Sequence, residues 1–327
     1  MRIFVTGGTG FIGAHLRRRL LLEGHEVHVL SRSSSLGDEL GLAGKKSAAH
    51  LLSGDLLDAN DVRNLVERIQ PDAVVHLASR RPMQGTDDDA RLMFRTNALA
   101  TYDLLDACAH LPGPCAVVFA SAMSVYNYEA PRYLPVDECH PTEPFDTYGL
   151  SKVLAEQCCE YVTARSSSLS CIILRISGVY GPGKHSGLVY NCLNSVATGT
   201  SVRISRSDVR RDFVYVSDVI DAIMRALATP IHHRTAIYNI GGGRSSSLID
   251  VAVTVERVTR GTVNLEFTSA IRDTHFYLDT RKAEEALGFR PRSLEAAITD
   301  WWSVMAEAEK SAGGRLGEVL KSLDGSE

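Results

Sequence analysis

The sequence has no C-x-x-C pair, no long run of basic residues and no hydrophobic run of membrane-spanning length. Its seven cysteines are an odd number, so neither a disulfide framework nor a zinc ribbon is expected, and we predict no metal site. The formal net charge of −4 argues against a nucleic-acid or membrane-surface partner. No charged-then-apolar leader opens the sequence. These absences together lead us to expect a cytoplasmic protein.

What the 327 residues do contain is the composition of an ordinary globular protein, 44% hydrophobic and 23% charged. Short apolar runs alternate with helix-length segments through the first half. Continuous Val/Ile/Leu runs that are each followed by a helix indicate a parallel sheet covered on both faces, so we predict a doubly wound α/β fold. The runs are RIFVT, EVHVL, HLLSG, AVVHLA, CAVVFAS and SCIILRI, and the helical segments are 11–23, 59–70, 91–110 and 147–165.

The second half has a looser rhythm, with Gly, Pro and Ser punctuation after about residue 176. Residues 1–176 are predicted to form the α/β domain, and residues 177–327 mainly a smaller lobe. Two late stretches near 212–241, RRDFVYVSDV and IYNIGGG, look like strand-to-turn joints that return to the main sheet. The lobe is therefore expected to be discontinuous. The polar, Gly-interrupted tail from about Ala312 is expected to fray.

A glycine-rich loop, TGGTGFIG, leads from the first strand into the first helix. Glycines are needed where the backbone turns tightly and approaches a pyrophosphate, whose charge then lies at a helix N-terminus. In this strand-to-helix context the loop predicts a dinucleotide site. The predicted contacts are Gly7, Gly10, Phe11, Ile12 and Gly13.

The end of the second strand decides between the two nicotinamide cofactors. NAD-binding chains carry an acid there for the ribose 2′-hydroxyl, but this sequence has Ser31, Arg32 and Ser33. An arginine flanked by hydroxyls suits a 2′-phosphate, because its planar fork matches phosphate oxygens. The alternative is that Arg32 is only a solvated loop charge. NADP(H) is favoured over NAD(H).

Several motifs occur in order along nearly the whole chain: TGGTGFIG, GDLLD (54–58), VVHLAS (74–79), Asn97, ASAMSVY, YGLSK (148–152), RRDFVYVSDV and YNIGGG. Together they resemble the extended short-chain dehydrogenase/reductase family, in its nucleotide-sugar epimerase, dehydratase and ketoreductase branch. The resemblance implies a Rossmann domain and a smaller C-terminal lobe that binds a nucleotide diphosphate sugar.

Tyr148 and Lys152 match the family's catalytic Tyr-x-x-x-Lys. Residues four apart lie on one face of a helix. A phenol with an ordinary pKa of about 10 is a poor base near neutrality, but an adjacent ammonium favours its ionised form. Lys152 is also expected to hold the nicotinamide ribose.

The resemblance also implies roles for single residues elsewhere in the cofactor site. Asp55 and Leu56 resemble residues that meet the adenine, and Ala78 and Ser79 those beside the cofactor phosphates and ribose. Asn97 resembles a position that supports the active site and is grouped with the cofactor contacts, although a helix-interior Asn bonded to backbone is an equal alternative.

The substrate contacts are expected from two arginines. Arg211 resembles the arginine that binds the sugar nucleotide's diphosphate, a role suited to bidentate binding. Arg272 is a looser match for a second such arginine. Gly178 stands where many members have an Asn that touches the substrate, so the sugar stays open.

The stretch ASAMSVY lacks an expected hydroxyl. In the family a Ser or Thr lies three residues before the Val of the "VY" pair, and here that position is Ala122. If the segment is extended, Ser124 shares a side with Ala122 and is the predicted replacement, both catalytic and substrate-binding. Ser121 then points to the opposite side, where we expect it to bond backbone or cofactor.

Three functions are weighed. The 4,6-dehydratases have Asp-Glu where this chain has Met123 and Ser124, which argues against a conventional 4,6-dehydratase. The leading expectation is a 4-ketoreductase acting on a nucleotide diphosphate sugar, because NADPH is the usual exchangeable reductant. A 4-epimerase of the same family is the first alternative. A catalytically silent dinucleotide-binding sensor or scaffold is the second.

A homodimer is expected because helices near 91–110 and 147–165 resemble those that pair across a twofold axis in this family. Apolar residues at helical spacing would form that interface, although burial within one subunit explains part of the pattern. They are Leu92, Leu99, Leu104, Leu105, Leu154, Cys158 and Tyr161.

Overall fold

The computed structural model describes residues 1–32, 49–81, 88–230, 234–270 and 272–312. The strands within these ranges are β1 (Arg2–Thr6), β2 (Glu26–Ser31), β3 (His50–Ser53), β4 (Ala73–His76), β5 (Cys115–Ala122), β6 (Leu169–Ile176), β7 (Gly178–Tyr180), β8 (Val202–Ser205), β9 (Val209–Arg211), β10 (Phe213–Tyr215), β11 (Thr235–Ile240), β12 (Ser246–Ser247), β13 (Leu265–Thr268) and β14 (Thr274–His275). Seven of them form a parallel sheet in the order β11-β6-β5-β4-β1-β2-β3.

The helices within these ranges are α1 (Phe11–Leu22), α2 (Ala59–Ile69), α3 (Asp88–Phe94), α4 (Ala100–Ala109), α5 (Thr147–Arg165), α6 (Leu188–Thr198), α7 (Val216–Ala228), α8 (Leu248–Thr259), α9 (Arg281–Leu287) and α10 (Leu294–Ala312). Helices α2, α4 and α5 cover one face of the sheet and α1 and α7 the other, whereas α6, α8 and α10 pack around a separate core. Along β1, Phe4 packs into the core beneath α2, α4 and α5, whereas Ile3 and Val5 pack into the core beneath α1 and α7. Such alternation is what a sheet buried on both sides requires, and the predicted doubly wound fold is confirmed.

Most predicted helices agree with the structure within one residue. The segment 91–110 does not form one regular helix. It consists of α3, a π-helical turn over Arg95–Leu99 and α4. A π turn inserts one extra residue into a helix and often lies at a functional site.

Only one of the two late stretches returns to the main sheet. β11 pairs with β6, but β9 pairs with β12 and β14, and β10 pairs with β7. The expectation for RRDFVYVSDV was therefore wrong. Between β9 and β10 the buried carboxylate of Asp212 accepts hydrogen bonds from the backbone N–H groups of Gly242 at 2.6 Å and Leu278 at 2.9 Å. These bonds hold RRDFVYVSDV against the loops that follow β11 and β14 instead of against the main sheet.

The remaining C-terminal elements surround a separate core with Leu193, Val251 and Trp301 at its centre. The boundary at residue 176 stays a prediction, and the tail beyond Ala312 lies outside the described residues. All seven cysteines are free thiols. Over the described ranges, no helix is both long and apolar enough to span a bilayer, and no cluster of three metal-binding side chains occurs.

Candidate active site

Two adjoining cavities lie where β1, β2 and β4 end, at the carboxyl edge of the sheet. The first has a volume of about 510 Å³ and the second about 450 Å³, and they share Gly7, Gly10 and Ser79. They therefore form one elongated cleft. The first is also lined by Ser31, Arg32, Asp55, Leu56 and Ala78, and the second by Phe11, Ile12, Gly13, Ser121, Ser124, Tyr148 and Lys152. Most of the predicted site residues thus come together here.

The glycine-rich loop forms the floor between the cavities. Gly7 has φ +70°, and a Cβ there would lie 2.5 Å from the backbone nitrogen of Ala78. A Cβ at Gly13 would lie 2.3 Å from the carbonyl oxygen of Gly7. Gly10 has space above it, since an added Cβ would meet only the Gly7 oxygen at 3.4 Å. A diphosphate can therefore approach the backbone at the N-terminus of α1, as a dinucleotide requires.

The first cavity has the features expected for an adenosine. Ser31 ends β2 as a buried residue, and the exposed Arg32 follows it on the cavity wall. Asp55 accepts a hydrogen bond from the backbone of Leu57 at 3.0 Å, which fixes its carboxylate. Ser33, the third residue predicted to meet the 2′-phosphate, lies outside the described residues.

Tyr148 and Lys152 project from the first turns of α5. Asp146 caps this helix by accepting a hydrogen bond from the backbone of Gly149 at 2.6 Å, which starts the helix so that both side chains face the second cavity. Both are buried, and the Lys152 ammonium donates to the carbonyl of Ala120 at 2.7 Å.

The charges around Tyr148 favour its ionised form. Burial raises the pKa of its phenol, but the charges of Lys152 and Arg81, aided by hydrogen bonds from Ser79 and Arg81, outweigh burial and lower that pKa overall. Burial lowers the pKa of Lys152, and the charge of Tyr148 opposes that change. The pair is thus suited to move a proton at the phenolic oxygen near neutral pH.

The serine-containing segment is not extended as expected. β5 ends at Ala122, and Met123–Val125 form a 3₁₀ turn. Ala122 packs against Tyr148 and Met93, which is where the family's hydroxyl would lie. Ser124 lines the same cavity as Tyr148, and no group in the described part of the chain hydrogen-bonds its hydroxyl.

Ser121 has a different partner from the two that we expected. Its buried hydroxyl donates to Glu156 at 2.5 Å rather than to a backbone group. With its one proton used in this bond, Ser121 is not placed as a donor toward the cofactor. Glu156 lies one helical turn beyond Lys152 on α5, and no motif in the sequence pointed to it.

Asn97 supports the cleft from below. It lies in the π-helical turn, is 1% exposed and is not part of either cavity wall. Its amide accepts from the backbone of Arg80 at 2.7 Å and donates to the Ser151 hydroxyl at 2.9 Å. Asn97 therefore joins the loop after β4 to α5, and its bonds to the Arg80 backbone fit both the supporting role and the backbone-bonded alternative.

The two predicted diphosphate arginines lie elsewhere. Arg211 donates to the Thr274 hydroxyl at 2.7 Å and to Glu129 at 3.2 Å, and Arg272 is exposed just before β14. Neither is part of the walls of these cavities. The structure thus does not bring them to the cleft.

Two cations in the second cavity were not predicted. Arg81 lies 5.6 Å from the centre of the Tyr148 ring, and Lys184 lies 5.7 Å from the centre of the Phe11 ring. Burial lowers the pKa of Lys184, and the charge of Arg81 lowers it further. Among the described residues, no acidic side chain lines this cavity. Its charge therefore favours an anionic ligand.

A glycine-rich phosphate loop, a doubly wound sheet and a buried Tyr–Lys pair define an NAD(P)-binding enzyme of the extended short-chain dehydrogenase/reductase type. The chain belongs to the NAD dependent epimerase/dehydratase family, whose model matches residues 3–241.

The relatives and the solved structure below match most of the chain. The UDP-glucose 4-epimerase of Mycolicibacterium smegmatis is 30% identical over 306 residues, covering 89% of this chain and 94% of that protein. The dTDP-6-deoxy-L-talose 4-dehydrogenase (NAD(P)(+)) of Kitasatospora kifunensis is 28% identical over 320 residues, covering 94% and 96%. The structure of MoeE5 in complex with UDP-glucuronic acid and NAD matches with a TM-score of 0.78 and 28% identity, covering 93% and 99%.

Proposed function

We propose that this protein is an NAD(P)-dependent 4-epimerase of a nucleotide diphosphate sugar. The observation that carries the proposal is the convergence of Tyr148, Lys152 and Ser124 on one cavity at the end of the dinucleotide cleft. Relatives named as 4-epimerases support this function over the 4-ketoreductase that the sequence favoured.

When bound, the dinucleotide supplies the hydride acceptor and donor for the sugar carbon. The residues of the chain then have separate tasks. Tyr148, whose pKa is lowered by the charges of Lys152 and Arg81, accepts the proton of the sugar hydroxyl at its phenolic oxygen and later returns it. Ser124 donates a hydrogen bond to the same sugar oxygen, where charge develops. Arg81 and Lys184 offset the negative charge of the diphosphates.

NADP(H) is the cofactor that we propose. Ser31 and Arg32 supply a hydroxyl and a guanidinium where an NAD-binding chain has an acid. The complex of MoeE5 contains NAD, so this preference depends on the two residues of this chain alone.

A 4-ketoreductase is the second candidate, and the same two residues favour it. NADPH is an exchangeable reductant, and a relative that is named a 4-dehydrogenase uses NAD(P)(+). The reductase consumes one NADPH for each keto sugar, whereas the epimerase regenerates its cofactor in every cycle.

The decisive experiment incubates the protein with UDP-glucose, UDP-glucuronic acid or a dTDP-6-deoxyhexose and a trace of cofactor, and follows the sugar by NMR. An epimerase gives the 4-epimer in excess over the cofactor, without net change in absorbance at about 340 nm. A reductase gives product from a 4-keto sugar only in proportion to added NADPH. Absence of turnover with every sugar, despite tight dinucleotide binding, would contradict both functions and favour the silent sensor.

A homodimer is also proposed. Of the apolar residues expected at its interface, Leu99 is 54% exposed, Leu154 37% and Tyr161 51%, and they are available to a second subunit. Leu104 and Leu105 are buried in the core beneath α2 and cannot contribute.

A further inference from the structure

The segment 121–126 consists of the last two residues of β5, the 3₁₀ turn Met123–Val125 and Tyr126. Both of its ends are bonded to one buried ion pair, formed by Glu156 on α5 and Arg175 on β6. The side chains of this pair are 6% and 5% exposed. Arg175 donates through Nη2 to the Glu156 carboxylate at 2.7 Å and through Nε at 3.1 Å. This two-point contact fixes the orientation of both groups.

Each member of the pair holds one end of the segment. At the first end, Ser121 donates to Glu156 at 2.5 Å. At the other end, the phenol of Tyr126 accepts from Nη1 of Arg175 at 2.8 Å and donates to the amide oxygen of Asn239 at 2.8 Å. Of the residues between these two ends, Ala122, Met123 and Ser124 line the second cavity, and Val125 is buried in the core.

The middle of the segment is held by close packing. A Cβ added to Gly149 would lie 2.0 Å from the carbonyl oxygen of Ser124, so the first turn of α5 touches the 3₁₀ turn directly. The same helix carries Tyr148, Lys152 and Glu156. A shift of the segment relative to α5 would therefore change the distance between the Ser124 hydroxyl and the Tyr148 phenol.

We propose that Glu156 and Arg175 are positioning residues, which hold both ends of the segment 121–126 so that the Ser124 hydroxyl faces the cavity beside Tyr148. A buried ion pair is weak evidence for stability, because removal of two charges from water costs about as much as the pair returns. Geometric specificity is the contribution that such a pair makes best. The kinetic part of this inference rests on the proposed function, and its structural part does not.

The test removes the two end bonds without removing the ion pair, since an unpaired buried charge could unfold the chain. Ser121→Ala and Tyr126→Phe are made in the full chain, each with and without Ser124→Ala. Ser303→Ala and Tyr133→Phe are the matched controls, because both residues are exposed and neither lines the two cavities. Turnover, the cofactor dissociation constant and amide hydrogen exchange of the peptide spanning 119–128 are measured for all variants.

If the pair positions Ser124, each end variant exchanges the amides of 123–126 about tenfold faster and lowers kcat by about tenfold, with cofactor affinity unchanged. In the Ser124→Ala background the same two substitutions lower kcat by less than about twofold, since the positioned hydroxyl is already gone. The controls leave all three measurements as they are.

Two results would overturn the inference. One is unchanged exchange of 123–126 in both end variants. The other is an equal loss of kcat with and without the Ser124 hydroxyl, which would mean that the end bonds act on something else. If the unmodified protein turns over no nucleotide sugar, the proposed function fails, and hydrogen exchange alone still decides whether the pair holds the segment.

Discussion

His76 lies at the end of β4 directly beneath the phosphate loop, and its protonation should destabilise the fold. The ring is 1% exposed and bonds two threonines, with Nδ1 2.5 Å from the Thr6 hydroxyl and Nε2 2.9 Å from the Thr101 hydroxyl. Thr101 donates its own proton to the carbonyl of Asn97 at 2.7 Å, so it can only accept from Nε2. Thr6 must then donate to Nδ1, and the ring is neutral.

A second proton on this ring, at Nδ1, would replace the proton that Thr6 donates there, so the Thr6 hydroxyl would have to turn away and lose this bond as a donor. Burial, with a smaller contribution from the charge of Lys152, lowers the pKa of His76 from an ordinary 6.5 to about 3. Because the unfolded chain binds this proton more readily than the folded chain, the stability from the neutral ring is complete above about pH 6.5 and is lost as the pH falls toward 3. The full difference corresponds to about 5 kcal/mol, of which about 3 kcal/mol is lost by pH 4.

The assay is the free energy of unfolding in urea for the unmodified chain and His76→Gln, measured at intervals from about pH 7.5 to about pH 4. Gln can keep one of the two threonine bonds but cannot be protonated in this range. Its stability should be lower at neutral pH, and its pH dependence flatter by about 3 kcal/mol. His110→Gln, at an exposed imidazole, serves as the control. Parallel curves for His76→Gln and the unmodified chain would refute the reasoning.

Three further changes probe the cleft and the proposed interface. Ser124→Ala should lower kcat on the order of a hundredfold with cofactor affinity unchanged, and Ala122→Ser in that background should recover part of the rate. Near-normal turnover of Ser124→Ala would mean that Tyr148 suffices, with a water in place of the hydroxyl. Arg32→Ala should weaken NADPH binding by about tenfold and leave NADH binding as it is, by fluorescence titration; equal losses for both cofactors would count against a 2′-phosphate contact. Leu154→Glu should convert a dimer to a monomer in light scattering at micromolar concentration, whereas a monomeric unmodified chain would remove the interface altogether.

The parts of the fold that depend on local sequence, namely single strands and helix faces, were predicted correctly. The apolar runs gave the strands of the main sheet, and the spacing of Tyr148 and Lys152 gave their common face on α5. The π-helical turn that turns Asn97 inward was not predicted, because one inserted residue leaves the apolar periodicity of a helix almost unchanged. The site features that depend on contacts between distant segments were missed for a related reason. Arg81 and Lys184 come from different loops, and no pattern in either loop indicates that the two side chains meet in one cavity.

The arginines show the limit of carrying a role over by motif. Arg211 has the neighbours expected of a diphosphate contact in sequence, but in the fold its guanidinium is engaged by Thr274 and Glu129. A motif predicts the strand on which a side chain lies. The hydrogen-bond partners of that side chain depend on which distant segments pack against the strand. Glu129 comes from the loop after Tyr126 and competes for the guanidinium with any diphosphate.

The 3₁₀ turn gives a physical reason why Ser124 can replace a hydroxyl that belongs at Ala122. In an extended strand two residues rise by about 6.6 Å, so the hydroxyl of a serine two positions later would lie well along the cleft from the Tyr148 phenol. Here Ala122 is extended and only Met123–Val125 form the 3₁₀ turn, so the same two residues rise by about 5 Å, which keeps Ser124 nearer to the position of Ala122. The turn and the missing hydroxyl are thus two parts of one arrangement. The turn works only while both of its ends are held, and Ser121 and Tyr126 are the residues that hold them.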